Sequence, residues 1–299
     1  NGYIRTNTVD LQAFVMTLSA DGSHLVYSTL FGGSAADQPF GVAVDAQDNL
    51  YLAGWTYSAD LPIKAAPAST PPAGSSDAFV ARFDPFAATG EDSLVFSARL
   101  GGDRDDRAQA VAVDALGNVY VAGYTFSSNF PTVNGYRAKP WTPAANRDVF
   151  LTKYDPSMST MLYSTYFGAG GDEYPTDMEV DPYGVACLIG VTSSAIGFPQ
   201  VSPVQRWYGG GVNDGFVAQI DTRIAGKRSV IFSSYLGGRS TDDPNQVLLA
   251  PDRTIWIAGT TRSSDFPTAK PFQNRLLGYQ DGYICRIAER KRRVRGRSR

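Results

Sequence analysis

In the middle of the chain, four successive stretches either alternate apolar and polar residues or stay apolar for five to eight positions. They are AQAVAVD (108–114), NVYVAGYT (118–125), DVFLTKYD (148–155) and MLYSTYF (161–167). A period of two marks a half-buried β-strand, and a short unbroken apolar run marks a strand covered on both faces. ALGN closes a tight hairpin between the first two, and AQDN, PYGV and PDRT stand in the same place elsewhere. A DPSMST-type turn joins the third to the fourth.

The set of four recurs. NLYLAGWTYSADLP (49–62) returns as NVYVAGYTFSSNFP (118–131) and TIWIAGTTRSSDFP (254–267), and a copy one residue longer, VACLIGVTSSAIGFP, spans 185–199. The glycines that end these strands, Gly54, Gly123, Gly190 and Gly259, are spaced by 69, 67 and 69 residues. Gly32, Gly101, Gly168 and Gly237, in F/L-G-G or F-G-A, keep the same spacings. A third mark, an apolar strand after an acidic or polar residue, is anchored at Phe14, Phe79, Phe150, Phe216 and Tyr283. A fixed period of this length means a stacked repeat whose units cannot bury their faces alone. Four antiparallel strands per unit of about 68 residues predict an all-β fold, a β-propeller of four-stranded antiparallel blades. The first strand, rich in small residues as in GVAVD and AVAVD, is expected at the axis.

The order AVAVDxxGNxYVAGxTxSxxFP, then DxFVxxxDP, then LxYSTYxGG resembles the bacterial SBBP-type β-propeller repeat, and more distantly NHL-type blades. Two units depart from it: Ala250 replaces the acid that ends the first strand at Asp45, Asp114 and Asp181, and FGAGG replaces LGG at 167–171. The resemblance implies a propeller and a bacterial extracellular or cell-envelope habitat. It implies no shared catalytic activity, because fold alone does not carry function.

The expected propeller covers residues 1–288. A front piece (1–33) supplies third and fourth strands, complete blades span about 39–100, 108–167 and 175–236, and a rear piece (245–288) supplies first, second and third strands. Either front and rear pair to close a small ring with one surplus third strand, or further blades lie beyond this chain. NGY at 1–3 echoes NGY at 134–136, so the chain begins within a repeat. The formal charge of −2 hides a basic end: residues 290–299 hold seven of the 27 Lys and Arg, and 289–299 read as a flexible, solvated tail rather than a nucleic-acid site. No apolar run approaches the ~18 residues a membrane span needs.

Alternating strands put the loops entering each first strand and leaving each second strand on one face. The second-to-third connections there are about 20 residues long, beyond the ordinary range of loops without a function. Each entering loop carries an acid eight positions before the end of its strand: Asp37, Asp106, Glu173 and Asp242. An acidic ring for a cation such as calcium is one reading. The preferred one is that each carboxylate caps its own loop, with no metal or cofactor, because structural devices repeat in every blade and ligand contacts need not. The long loops offer Tyr136, Trp141, Trp207, Tyr208, Phe272 and Tyr279, and of these Tyr136, Trp141, Trp207 and Tyr208 are the ligand-binding candidates, as platforms for sugars or protein anchors. Trp55, Tyr124, Tyr51, Tyr120 and Trp256 lie in strands and read as packing.

Enzyme chemistry has little to stand on. His24 is the one histidine, GxSxG is absent, and no residue set is assigned as catalytic. Cys187 and Cys285 fall in packing registers and are expected to be buried and unpaired. The leading reading is a non-catalytic extracellular or cell-surface module for protein or glycan binding or for structural scaffolding, partnered by a protein or polysaccharide. The competing reading is a carbohydrate-active lyase or hydrolase with a site at the loop-rich face of the ring.

Overall fold

The computed structural model of the chain describes residues 11–66, 76–142 and 146–288. NGY at 1–3 and the basic tail at 289–299 lie outside the described residues. Two front strands, β1 (Ala13–Leu18) and β2 (Leu25–Phe31), pair with each other. Three four-stranded antiparallel sheets follow in chain order. They are β3 (Asp37–Val44), β4 (Leu50–Thr56), β5 (Asp77–Phe83) and β6 (Leu94–Leu100); β7 (Asp106–Val113), β8 (Val119–Thr125), β9 (Asp148–Tyr154) and β10 (Met161–Phe167); then β11 (Glu173–Val180), β12 (Val185–Thr192), β13 (Asp214–Asp221) and β14 (Val230–Leu236). A rear sheet holds β15 (Asp242–Leu249), β16 (Ile255–Thr261) and β17 (Asp281–Ile287). Among the described residues helix is confined to one turn, Gly90–Ser93, and a 3-10 turn, Gly226–Ser229.

The repeated acids prove to be the first residues of the first strands rather than loop residues. Each first strand then carries a bulge, between Pro39 and Gly41, Ala108 and Ala110, Pro175 and Asp177, and Pro244 and Gln246. A bulge bends its strand and re-aims the flanking side chains. It also brings first-strand backbone onto the facing strand: a Cβ on Gly54, Gly123, Gly190 or Gly259 would lie 2.1–2.4 Å from the carbonyl oxygens of Gln38, Arg107, Tyr174 or Asp243. That is why the glycine of the A-G-x-T stretch keeps the period.

The core lies between sheets, not within them. Tyr51, Ala53 and Val80 of one blade pack with Val111, Val119 and Val121 of the next. Tyr120, Ala122 and Leu151 pack likewise with Met178, Ala186 and Leu188, and Cys187, Ile189 and Val217 with Val247, Ile255 and Ile257. The front pair covers the first complete blade through Val15, Leu50 and Leu52. Front and rear strands belong to separate sheets, so β1 and β17 both stand in third-strand register and the surplus third strand persists.

Candidate functional site

The T-x-S-x-x-D/N stretch after each second strand forms a latch with the loop that enters the first strand. The backbone N–H groups of Gly33, Gly102, Ala169 and Gly238 donate to one carboxylate oxygen of Asp37, Asp106, Glu173 and Asp242 at 2.7–2.8 Å. Ser58, Ser127 and Ser263 Oγ donate to the same oxygen at 2.8 Å. Those hydroxyls also accept from Ala35, Arg104 and Ser240 N at 2.9 Å. Asp60, Asn129 and Asp265 then cap the far loop, accepting from Ser34, Asp103 and Arg239 N at 2.8–2.9 Å. In the longer copy Ser194 Oγ likewise accepts from Gly171 N, and Ser193 Oγ, accepting from Asp172 N, stands in for the missing Asp or Asn. Each repeated acid is buried and ties two loops together, not one.

A second row of acids, Asp77, Asp148 and Asp214, opens the third strands. Each faces a repeated acid across a glycine. A Cβ on Gly168 would stand 2.3 Å from Asp148 Oδ1 and 2.5 Å from Glu173 Oε2. On Gly237 it would stand 2.7 Å from Asp214 Oδ1 and 2.8 Å from Asp242 Oδ2, and on Gly101 2.8 Å from both Asp77 Oδ1 and Asp106 Oδ2. Burial pushes the carboxyls of Asp106, Asp148 and Asp214 up to about 7, and the facing acids Asp77, Glu173 and Asp242 add to it. Burial raises Glu173 too. Asp148 Oδ2 accepts from Trp141 N and Asp214 Oδ2 from Gly209 N, while their Oδ1 atoms receive no donor among the described residues. The pairing stops at the ends: Gln12 takes the front position, and Asp281 at the rear is half-buried.

The aromatic candidates divide. Tyr136 packs against Phe167 (6.1 Å between centroids) and Tyr208 against Tyr235 (5.8 Å), so both cover their own blades. Trp141 is half exposed beside Gly170 and Gly197, with the Arg137 guanidinium 4.7 Å from its ring. Trp207, Phe272 and Tyr279 project into solvent. Of the strand aromatics, Tyr51, Tyr120 and Trp55 are buried, Tyr124 is half-buried, and Trp256 is exposed because no further blade lies on it among the described residues. Arginines missed in the sequence join them. Arg107 stacks on Trp55 (4.7 Å) and donates to Tyr57 OH, and Arg147 sits between Tyr124 (5.1 Å) and Tyr174 (4.5 Å), 3.7 Å from Asp172. Gln38, Arg107, Tyr174 and Asp243 share one register position, so this set does not repeat.

A profile of the SBBP family, "Beta-propeller repeat", matches residues 26–62 and 95–131. Those two stretches are SBBP β-propeller repeats. No curated protein matches the sequence. The crystal structure of a protein of unknown function from Dyadobacter fermentans is similar over 87% of this chain and 68% of its own, at 14% identity and a TM-score of 0.42. A likeness at that level leaves function to the site itself.

Each matched SBBP repeat starts in a fourth strand, β2 or β6, and ends after the second strand of the next blade, β4 or β8. It therefore contains both loops of the latch and leaves the third strand, with its acid, outside. Among the described residues no three His, Cys, Asp or Glu side chains are placed to hold a metal ion. No helix there is long and apolar enough to cross a membrane. Cys187 is buried and Cys285 half-buried, and burial raises both thiols, Cys285 to about 11. Cys285 falls short of the expected burial because β17 has no fourth strand beside it. On the opposite face, a cleft of about 430 Å³ between the first two complete blades is lined by Asp45, Tyr51, Arg82, Asp114 and Pro156. Its acids are spent on their hairpins, Asp45 and Asp114 accepting from Asn49 and Asn118 N at 2.9 Å.

Proposed function

We propose that this SBBP chain is a non-catalytic extracellular or cell-surface module whose loop-rich face binds a protein or glycan. The carrying observation is the contrast on that face between sealed acids and open aromatic rings. Every repeated acid is buried in its latch, whereas Trp141 is 50% and Trp207 80% exposed, on long loops that do not repeat in sequence. Exposed Trp gives a flat apolar surface with an N–H at its edge, suited to stacking on a sugar ring or anchoring a partner. The stacked Arg107, Arg137 and Arg147 add planar donors held in place by their neighbours. Carboxyls near neutral pKa are the usual currency of a lyase or hydrolase. Here Asp106, Asp148 and Asp214 lie where no substrate reaches them, which favours binding over catalysis. Screening on a glycan array and a panel of surface proteins tests the reading. Trp141→Ala and Trp207→Ala should lower binding of any hit at least tenfold, and hits untouched by both would overturn it.

A further inference from the structure

The connections at the two ends of the blades carry opposite charge. On the loop-rich face, segments 57–76, 101–105, 126–147, 168–172, 193–213, 237–241 and 262–280 hold ten Lys and Arg against five Asp. The turns at the other end, 19–24, 45–49, 84–93, 114–118, 155–160, 181–184, 222–229 and 250–254, hold four against ten Asp and Glu. The acids that open strands on the loop-rich face are buried, apart from Asp281. Two arginines of that face are already stacked at the ends of neighbouring blades. Arg107, the second residue of β7, has its guanidinium 4.7 Å from the centre of the Trp55 ring. Its Nε donates to Ser76 Oγ at 3.3 Å and its Nη2 to Tyr57 OH at 3.2 Å, and Nη1 has no partner among the described residues. Across the strand pair Arg107 stands opposite Tyr124, which lies 5.1 Å from the Arg147 guanidinium, itself 4.5 Å from Tyr174. Arg147 is 3.7 Å from Asp172, beyond the about 2.7–2.9 Å of a charge-assisted hydrogen bond, so the acid orients the guanidinium without taking up its donors. A strip of alternating rings and guanidinium groups thus runs across three blades.

We infer that this strip binds an acidic polysaccharide, one whose sugars carry carboxylates. The inference rests on the reading of the loop-rich face as a binding surface and gives that surface a ligand class. Devices that hold the fold recur in every blade, whereas this strip does not, since Gln38, Tyr174 and Asp243 take the place of Arg107 elsewhere. Its chemistry selects among anionic partners. The guanidinium groups lie against the faces of Trp55, Tyr124 and Tyr174, so a nucleic-acid base or an apolar side chain finds those faces already taken. What remains open is the edge of each guanidinium, together with Tyr57, which is 44% exposed. A planar carboxylate accepts two parallel N–H bonds from such an edge, and sugar hydroxyls pair with a phenol. Because the rings and Ser76 already fix the arginines, little side-chain freedom is lost on binding. A strip spanning three blades suits a polymer, with successive residues of one chain meeting Arg107 and Arg147, rather than a single sugar.

Isothermal titration calorimetry of the whole chain with polygalacturonate and with its methyl ester tests this, because the two polymers differ in charge and share their sugars. The acid should bind, the ester should bind at least tenfold more weakly, and added salt should weaken the acid arm. Arg107→Gln and Arg147→Gln should each lower affinity for the acid at least fivefold, with circular dichroism and Tm confirming the fold. Arg107→Lys, which keeps the charge and loses the planar fork, should recover only part of the loss. No binding of polygalacturonate, equal affinity for acid and ester, or folded glutamine variants that bind like the unaltered chain would each overturn the inference. Single-stranded DNA binding as tightly as the acid would overturn it too, by making the strip a nucleic-acid site. A neutral glycan or a protein held through Trp141 and Trp207, with polygalacturonate ignored, would leave the reading of the face standing and this inference fallen.

Discussion

No methyl group fits at Gly168. Two buried carboxylates flank its Cα, so the first glycine of the G-G or G-A pair is fixed by what stands beside it rather than by backbone twist. Gly168→Ala should cost about 1–3 kcal/mol, the usual range for overpacking a filled site. Gly278, with nothing within 4 Å of a Cβ, should tolerate alanine within about 0.5 kcal/mol. Urea denaturation of the two variants would decide the matter, and equal losses would contradict the reading. The glycine itself was legible as a repeated letter. Its reason was not, because the acids on either side come from different blades and only the fold brings them together.

Between blades the pairs make stability depend on pH in an unusual direction. Asp106, Asp148 and Asp214 titrate near 7 when folded and near 4 when unfolded. Below about pH 4 both states hold these protons. As pH rises from about 4 to about 7 the unfolded chain gives them up and the native state does not, so stability is lost across that window. Burial sets most of the effect, and the facing groups adjust it: Asp77 raises Asp106 further, Glu173 raises Asp148 while Arg137 lowers it, and Asp242 and Asp265 raise Asp214. Acids of the hairpin face act oppositely. Asp45, Asp155 and Asp221 are lowered by their hydrogen bonds, and their contribution is lost only as pH falls through those low values. Tm should therefore peak near pH 4 and decline by several degrees by about pH 7. A scan of Tm against pH checks this: Asp148→Asn with Asp214→Asn should flatten the decline, and an unchanged slope would count against the pairs. The strands behind these junctions could be read from alternation alone, since a period of two is a local signal. The stacked Arg107 and Arg147 could not, because neighbouring blades put Gln38, Tyr174 and Asp243 at the Arg107 position, so no letter repeats there.

Across the whole molecule, the four repeated acids invite comparison with a ring of cation sites. In each, one carboxylate oxygen already accepts a backbone N–H, joined by a serine hydroxyl in three of them and by Thr192 on the other oxygen of Glu173. Chelator should leave Tm unchanged and calcium should not raise it, because a ligand stabilises only by binding the native state. Thermal melts with and without both settle the point, and a fall of several degrees reversed by calcium would overturn it. The offset between repeat and blade carries further. Each SBBP match runs from a fourth strand across the seam into the second strand of the next blade, so the stretch that keeps its letters is a seam rather than a blade. Loss or gain of one whole period, 67 or 69 residues counted from seam to seam, would leave every remaining latch with both of its loops and every remaining glycine with both of its acids. Such a chain can change length over evolutionary time in single steps, without any intermediate in which a junction is half made.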